Sequence, residues 1–247
     1  EIVSERLQRE FDLDLVISTP SVAFRIIDKK NKEFFVYSAS DWPNPNEIQE
    51  AQEPLAKLEI ITPQRFLGKV LEILEKLKGK SRETKYFSQE RLILICETPL
   101  REIISGFYNR LKGATEGFGS MNYEICGYLS ADLVKLEILV AGEQKEAFSK
   151  IISREGAHQE GKRIVEKLKE ILPPQLFSVP LQAVVSGKII ARETIKAKRR
   201  DVIAPLYGGD YTRKKKLLER QKKGKKELKE KGQVRIPPQV FLEMFRS

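Results

Sequence analysis

"LAKLEIITPQRFLGKVLEILEKLKG", residues 55–79, and "RLILICETPLREIISGFYNRL", residues 91–111, share one layout. Each opens with an apolar run short enough for a strand, and each run ends in Thr-Pro, at Thr62-Pro63 and at Thr98-Pro99. The period then changes. Phe66, Leu67, Val70, Leu71 and Leu74 recur at helical spacing, as do Ile103, Ile104, Phe107 and Leu111. Threonine can cap a helix and proline suits the first turn, so each Thr-Pro is expected to open a helix. Gly79 is expected to stop the first one. "RETKYFS" (82–88) reads as a strand in a hairpin with "RLILICETP", and "GFGSMNYEICGY" (117–128) as a returning strand. The order strand–helix–strand–strand–helix–strand is the ferredoxin-like βαββαβ motif, predicted over Glu53–Tyr128 within a domain of residues 49–130.

Working outward, Ile2, Val3, Leu7 and Phe11 mark an amphipathic helix at the start of the chain. "SVAFRIID" (21–28) and "KEFFVYSA" (32–39) suggest a hairpin, and "SDWPNPNEIQEAQEP" (40–54) a linker. Residues 1–48 are thus expected to be the end of an α/β domain plus a linker. The chain opens on Glu1 inside a helical pattern and is read as a fragment lacking an N-terminal part.

Residues 131–247 have another organisation. "LVKLEILVAG" (133–142) and "KEAFSKIIS" (145–153) are expected to pair about Ala141-Gly142. "GAHQEGKRIVEKLKEIL" (156–172) is an amphipathic helix stopped by Pro173-Pro174, and "LFSVPLQAVV" (176–185) and "KIIARETIKA" (188–197) are strands. An irregular stretch follows, then a basic helix over Tyr211–Lys231 and a short apolar anchor, "VRIPPQVFLEMF". The fold class is α+β: a ferredoxin-like domain, then a mixed α+β domain with a basic terminal helix.

The 247 residues carry a net charge of +10 with 40% apolar and 32% charged residues. Between Lys188 and Arg235 lie 18 of the 45 basic residues and only 6 of the 35 acidic ones, so this segment is +12 and the rest −2. A basic excess confined to one segment points to a polyanionic partner. Two cysteines, Cys96 and Cys126, sit in apolar runs and are expected to be buried free thiols of a reducing compartment. No apolar run approaches the roughly 18–20 residues a membrane-spanning helix needs, and no signal peptide pattern is present.

No catalytic, cofactor or metal site is expected in this chain. Its one histidine, His158, lies at the polar start of a helix and reads as a surface residue. No Cys/His group has metal spacing, and no G-x-x-x-x-G-K-[ST] or G-x-S-x-G motif occurs. "GFGS" (117–120) runs from helix into strand, the reverse of a phosphate loop, and its glycines are read as permitting a tight strand entry.

The candidate RNA-binding residues fall in two groups. Lys188, Arg192 and Lys196 are expected on one face of a strand, continued by Lys198, Arg199 and Arg200, with Ile189, Ala191 and Ile195 on the opposite, apolar face. Arg213, Lys214, Lys215, Lys216, Arg220, Lys222, Lys223, Lys225 and Lys226 come from the helix. Tyr207 and Tyr211 are the only aromatics here that could stack on bases, so the pattern favours folded RNA read by shape and backbone. A solvated basic helix and a membrane or protein partner remain alternatives; the helix has only Leu217, Leu218 and Leu228 to offer lipid.

The central residues resemble domain V of elongation factor G, through Glu53-Pro54, Thr62-Pro63, Gly68, Val70, Gly79, Pro99-Leu100, Leu111, Thr115, Gly117, Gly119-Ser120 and Tyr123. "GKIIARETIKA", "YGGD" followed by "RKKKLLERQKKGKK", and "IPPQVFL" resemble the C-terminal domain of the LepA, or elongation factor four, family. "ERLQREFDLDLVISTPSV" (5–22) is similar to the end of that family's domain III. Pro205-Leu206 stand where the family usually has Lys-Cys, and Ser153 where histidine is common. The resemblance implies a monomeric, ribosome-associated cytoplasmic GTPase, with GTP and Mg2+ bound in an N-terminal domain outside this chain. It implies large-subunit ribosomal RNA, stalk-base proteins and A-site transfer RNA as partners, backward movement of transfer RNAs as the activity, and it admits peripheral association with the inner face of the cell membrane. A stand-alone RNA-binding module without GTPase coupling is the alternative.

Overall fold

A computed structural model describes residues 2–11, 21–77, 80–86, 88, 90–198, 211–231, 234 and 236–245. The chain divides into two compact units, residues 19–133 and residues 134–246, the second grouped with the N-terminal stretch that holds α1 (Ile2–Phe11).

The first unit is built on one long strand. β3 (Ile48–Pro63) has 16 residues and pairs antiparallel along both edges. Its early part meets β1 (Phe24–Asp28), the partner of β2 (Glu33–Val36). Its later part meets β5 (Arg91–Pro99), which pairs in turn with β4 (Lys80–Tyr86). β6 (Ser120–Ser130) lies along the other edge. Residues 48–54, expected as linker, are therefore strand. Their polar composition hid them because much of this stretch is buried by pairing: Ala51 is buried, and so is Glu53. The Glu53 carboxylate accepts two N–H bonds from Arg101, at 3.0 and 3.3 Å.

Ala56, Leu58 and Ile60 of β3 and Leu92, Leu94 and Cys96 of β5 form a core beneath α2 (Leu67–Glu75), α3 (Leu100–Ile104) and α4 (Phe107–Ala114). This is the βαββαβ order read from the sequence. The threonines, however, cap nothing. Thr62 and Thr98 are fully buried at the ends of β3 and β5, and no side chain bonds a helix start there. The prolines make the turn: Pro63 and Pro99 hold φ at −60° and −55° with extended ψ, the conformation that proline's ring imposes. The second predicted helix is two, broken where Gly106 takes φ +80° and the Ser105 hydroxyl donates to the Arg101 carbonyl at 2.7 Å. Glycine accepts that left-handed geometry at no steric cost. Gly79 lies outside the described residues. At Gly119 a Cβ would stand 2.7 Å from the Thr115 hydroxyl, which accepts the Gly119 N–H, so this glycine does permit the tight entry to β6. Cys96 is buried as expected; Cys126 is exposed, at the extra residue that the register shift of β6 leaves between Ile125 and Gly127.

The second unit is a five-stranded antiparallel sheet, ordered β11-β10-β7-β8, with β9 also on β7. β7 (Leu133–Val140) turns through Ala141 and Gly142, both at positive φ, into the two-residue β8 (Glu143–Gln144). The expected long partner strand is interrupted by a 3-10 turn, Glu146–Phe148, before β9 (Lys150–Ser153). β10 (Val179–Val185) and β11 (Lys188–Ile195) turn at Ser186-Gly187, again with two positive φ values, the geometry that matches strand twist. α5 (Ala157–Ile171) covers one face with Ala157, Gly161, Ile164, Val165 and Leu168 buried. α7 (Pro238–Phe245) closes the same core through Val240 and Met244, and Phe241 stacks on Phe148 at 5.0 Å.

Candidate nucleic-acid interface

The two groups of candidate cations sit differently from one another. In β11 the ladder with β10 slips once: Ala183 faces Ala191 but Val184 faces Ile189, leaving Ile190 as the extra residue of a β-bulge. The bulge reverses the side-chain order beyond it. Ala191, Glu193 and Ile195 face the α5 side, as does Lys188 opposite Val185, while Ile189 is 53% exposed on the face of Arg192. The stripe predicted through Lys188, Arg192 and Lys196 is thus cut: Arg192, Lys196 and Lys198 are exposed in alternation, and Lys188 is exposed but out of phase. The apolar run Ile189-Ile190-Ala191 was the signal that strict alternation could not hold there. Glu193 does not cancel Arg192, because it turns to the other face and accepts a hydrogen bond from Lys169 of α5 at 2.7 Å. That bond, with the lysine's charge, holds the Glu193 carboxyl below its ordinary range.

Arg199, Arg200 and Tyr207 lie outside the described residues. The helix group is placed by α6 (Tyr211–Lys231), 21 residues and about 30 Å long at 1.5 Å per residue. None of its described side chains is buried. Arg213, Lys215, Lys216, Arg220, Lys222, Lys223 and Lys226 are exposed and Lys214 is half-buried; Lys225 lies in the helix, with its side chain outside the described set. Tyr211 is 78% exposed at the helix start. The chain returns to the core at Val234 and α7, so the basic helix is held between two anchors, Ile195 before it and Val234 after it.

The sheet of the first unit shows a different surface among the described residues. On its open face Ile61 lies opposite Ile93, with Ile95 next along, where an RNA-recognition motif would carry aromatics. Among the described residues no three His, Cys, Asp or Glu gather as a metal site needs, and no described helix is long and apolar enough to cross a membrane.

Comparison with known proteins divides the chain near where the structure does. Residues 50–139 match the family model for the elongation factor G C-terminus, and residues 140–246 that for the GTP-binding protein LepA C-terminus. Elongation factor 4 of Acetivibrio thermocellus is 45% identical over 246 residues, covering 100% of this chain and 41% of that protein. Elongation factor 4 of Thermus thermophilus is 47% identical over 249 residues, with coverages of 100% and 41%. That of Corynebacterium glutamicum is 46% identical over 242 residues, with coverages of 98% and 39%. The chain spans about two fifths of the length of these curated relatives. With both of its units matched in this way, the chain belongs to the LepA, or elongation factor 4, family.

Proposed function

We propose that this chain is the ribosome- and transfer-RNA-binding part of a translational GTPase that remodels the ribosome by moving transfer RNAs backward after faulty translocation. Residues 49–130 dock on the large subunit near the stalk base, residues 131–247 reach the A-site transfer RNA, and residues 1–48 end a preceding domain. GTP and Mg2+ are bound by a part of the protein outside this chain, and GTP hydrolysis gates arrival and release. The protein works in the cytoplasm on the ribosome. The observation that supports this reading most is α6: a long cationic helix, tied at both ends to a folded core, that buries none of its described side chains. A helix so placed adds little to the fold and offers its charge outward.

Counterion release supplies the test. Replacing Lys215, Lys216, Lys222, Lys223 and Lys226 by Gln in the intact protein is expected to lower the slope of log affinity for ribosomes against log salt by at least about 2, at roughly 0.7–0.9 for each phosphate no longer neutralised. An unchanged slope would mean that the helix is a solvated surface. RNA binding by an intact protein that shows no ribosome-stimulated GTP hydrolysis would instead make it a stand-alone RNA-binding module.

A further inference from the structure

The sheet of the second unit has two unlike faces. Leu181, Ala183 and Val185 of β10 belong to the core that α5 and α7 cover, so Gln182 points the other way. The ladders carry this open face across the sheet. Gln182 lies opposite Arg192 of β11 and Leu139 of β7, and Leu139 lies opposite Gln144 of β8. A row Gln144–Leu139–Gln182–Arg192 therefore crosses four strands, roughly 14 Å at about 4.8 Å per strand. Thr194, opposite Pro180, stands beside Arg192 on the same face. Gln144, Arg192 and Thr194 are exposed and Gln182 is half-buried, and none of these four side chains has a hydrogen-bond partner among the described residues. The pleat turns the acid of β11 away: Glu193 bonds Lys169 on the covered side. Glu137, the acid of β7 on the open face, is held by Lys135 at 2.9 Å. What is left unpaired on the row is one guanidinium and two amides, and β7, β8, β10 and β11 contain no aromatic residue.

We propose that this open face is a contact surface for double-stranded RNA, laid against the minor groove of an A-form helix. This rests on the RNA-binding reading above and deepens it by naming the form of the ligand. Single strands are held by stacking their bases on aromatic rings, and the face has none to offer. The minor groove of an RNA helix is wide and shallow and displays 2′-hydroxyls, each both a donor and an acceptor. A glutamine amide also donates and accepts, so Gln144 and Gln182 match those hydroxyls. Arg192 at one end of the row, with the exposed Lys196 and Lys198 at the exit of β11, supplies the charge for the flanking phosphates. DNA lacks the hydroxyls, so the row distinguishes the two nucleic acids where a lysine cannot.

The test uses the intact protein and two probes, a short RNA duplex and a DNA duplex of the same sequence, each titrated across a salt series. The unaltered protein is expected to bind the RNA duplex about tenfold or more tighter than the DNA duplex, the effect of two or more hydrogen bonds of ordinary net strength. Q144M/Q182M keeps the side-chain length and removes both amides; it is expected to erase the preference and leave the salt slope unchanged. R192Q is expected to lower the slope on RNA by about 1. The five-lysine variant of α6 is expected to lower the slope and keep the preference. No preference in the unaltered protein, or a preference that survives in Q144M/Q182M, would overturn the face assignment and leave charge-driven binding through α6 standing. Salt-independent ribosome binding by the unaltered protein would overturn the RNA-binding reading itself. If Q144M/Q182M binds both duplexes as the unaltered protein does but binds ribosomes more weakly, the face belongs to a ribosomal protein and the proposal fails.

Discussion

α5 and α6 belong to the same unit, and both are rich in lysine. α5 holds four basic and three acidic residues in 15 and buries five side-chain positions against the sheet. α6 holds eleven basic and three acidic residues in 21 and buries none that is described. In α5 the residue at each inward position is dictated by what lies beneath it, and the charges fill the remainder. In α6 no described side chain is buried, so packing does not dictate its basic bias; the proposed polyanionic partner accounts for it. The contrast separates residues that make the fold from residues that use it.

Truncation should divide the two helices most sharply. Leu168→Ala empties a fully buried site in α5 and is expected to cost about 2–5 kcal/mol in chemical denaturation. Its ribosome-binding salt slope should not change. A loss below about 1 kcal/mol would mean that α5 is not a core element. The glycines sharpen the comparison. A Cβ at Gly161 would stand 2.9 Å from the Ala183 Cβ and 3.2 Å from Ile190, so Gly161→Ala is expected to overpack and cost about 1–3 kcal/mol. Gly224 has nothing within 4 Å, so Gly224→Ala is expected to stabilise α6 by about 0.5–1 kcal/mol, read as higher helicity by circular dichroism. If both substitutions destabilise alike, the two helices are not distinct in kind.

The smallest effect concerns pH. Burial pushes the Glu160 carboxyl of α5 up, but hydrogen bonds and charge from Arg163, at 2.7 and 2.8 Å, together with Lys150, more than offset this and hold it below its ordinary value. A carboxyl depressed in the folded state adds stability above its unfolded pKa, near 4.5, and that stability is lost as pH falls through the folded value. Glu160→Gln should therefore flatten the acid limb of the unfolding curve below about pH 4.5 and change little at neutral pH. An acid limb identical in both proteins would remove Glu160 from the stabilising pairs.

Much of this organisation could be read in the sequence because strand and helix periods are local. The repeated Thr-Pro marked the two strand-to-helix turns of the first unit, although the physical agent is proline's fixed φ and not threonine's hydroxyl. What escaped depended on partners distant in the chain. Residues 48–54 look like a linker until β1 and β6 pair with them and Arg101, 48 residues onward, satisfies Glu53. The break at Gly106 was hidden because the apolar stripe from Ile103 to Leu111 continues across it. The bulge at Ile190 moved Lys188 off the stripe of Arg192, since one extra residue inverts every side chain beyond it. The cationic helix itself was evident from composition, but that it buries none of its described side chains needed the folded chain.

The most direct test sets unfolding and binding side by side in one protein. For the variant with Lys215, Lys216, Lys222, Lys223 and Lys226 replaced by Gln, thermal unfolding and the salt slope of ribosome binding are measured together. A helix that serves a polyanion and not the fold predicts an unchanged melting temperature and a slope lower by at least about 2. A lowered melting temperature with an unchanged slope would contradict it, and would make α6 an element of the fold like α5.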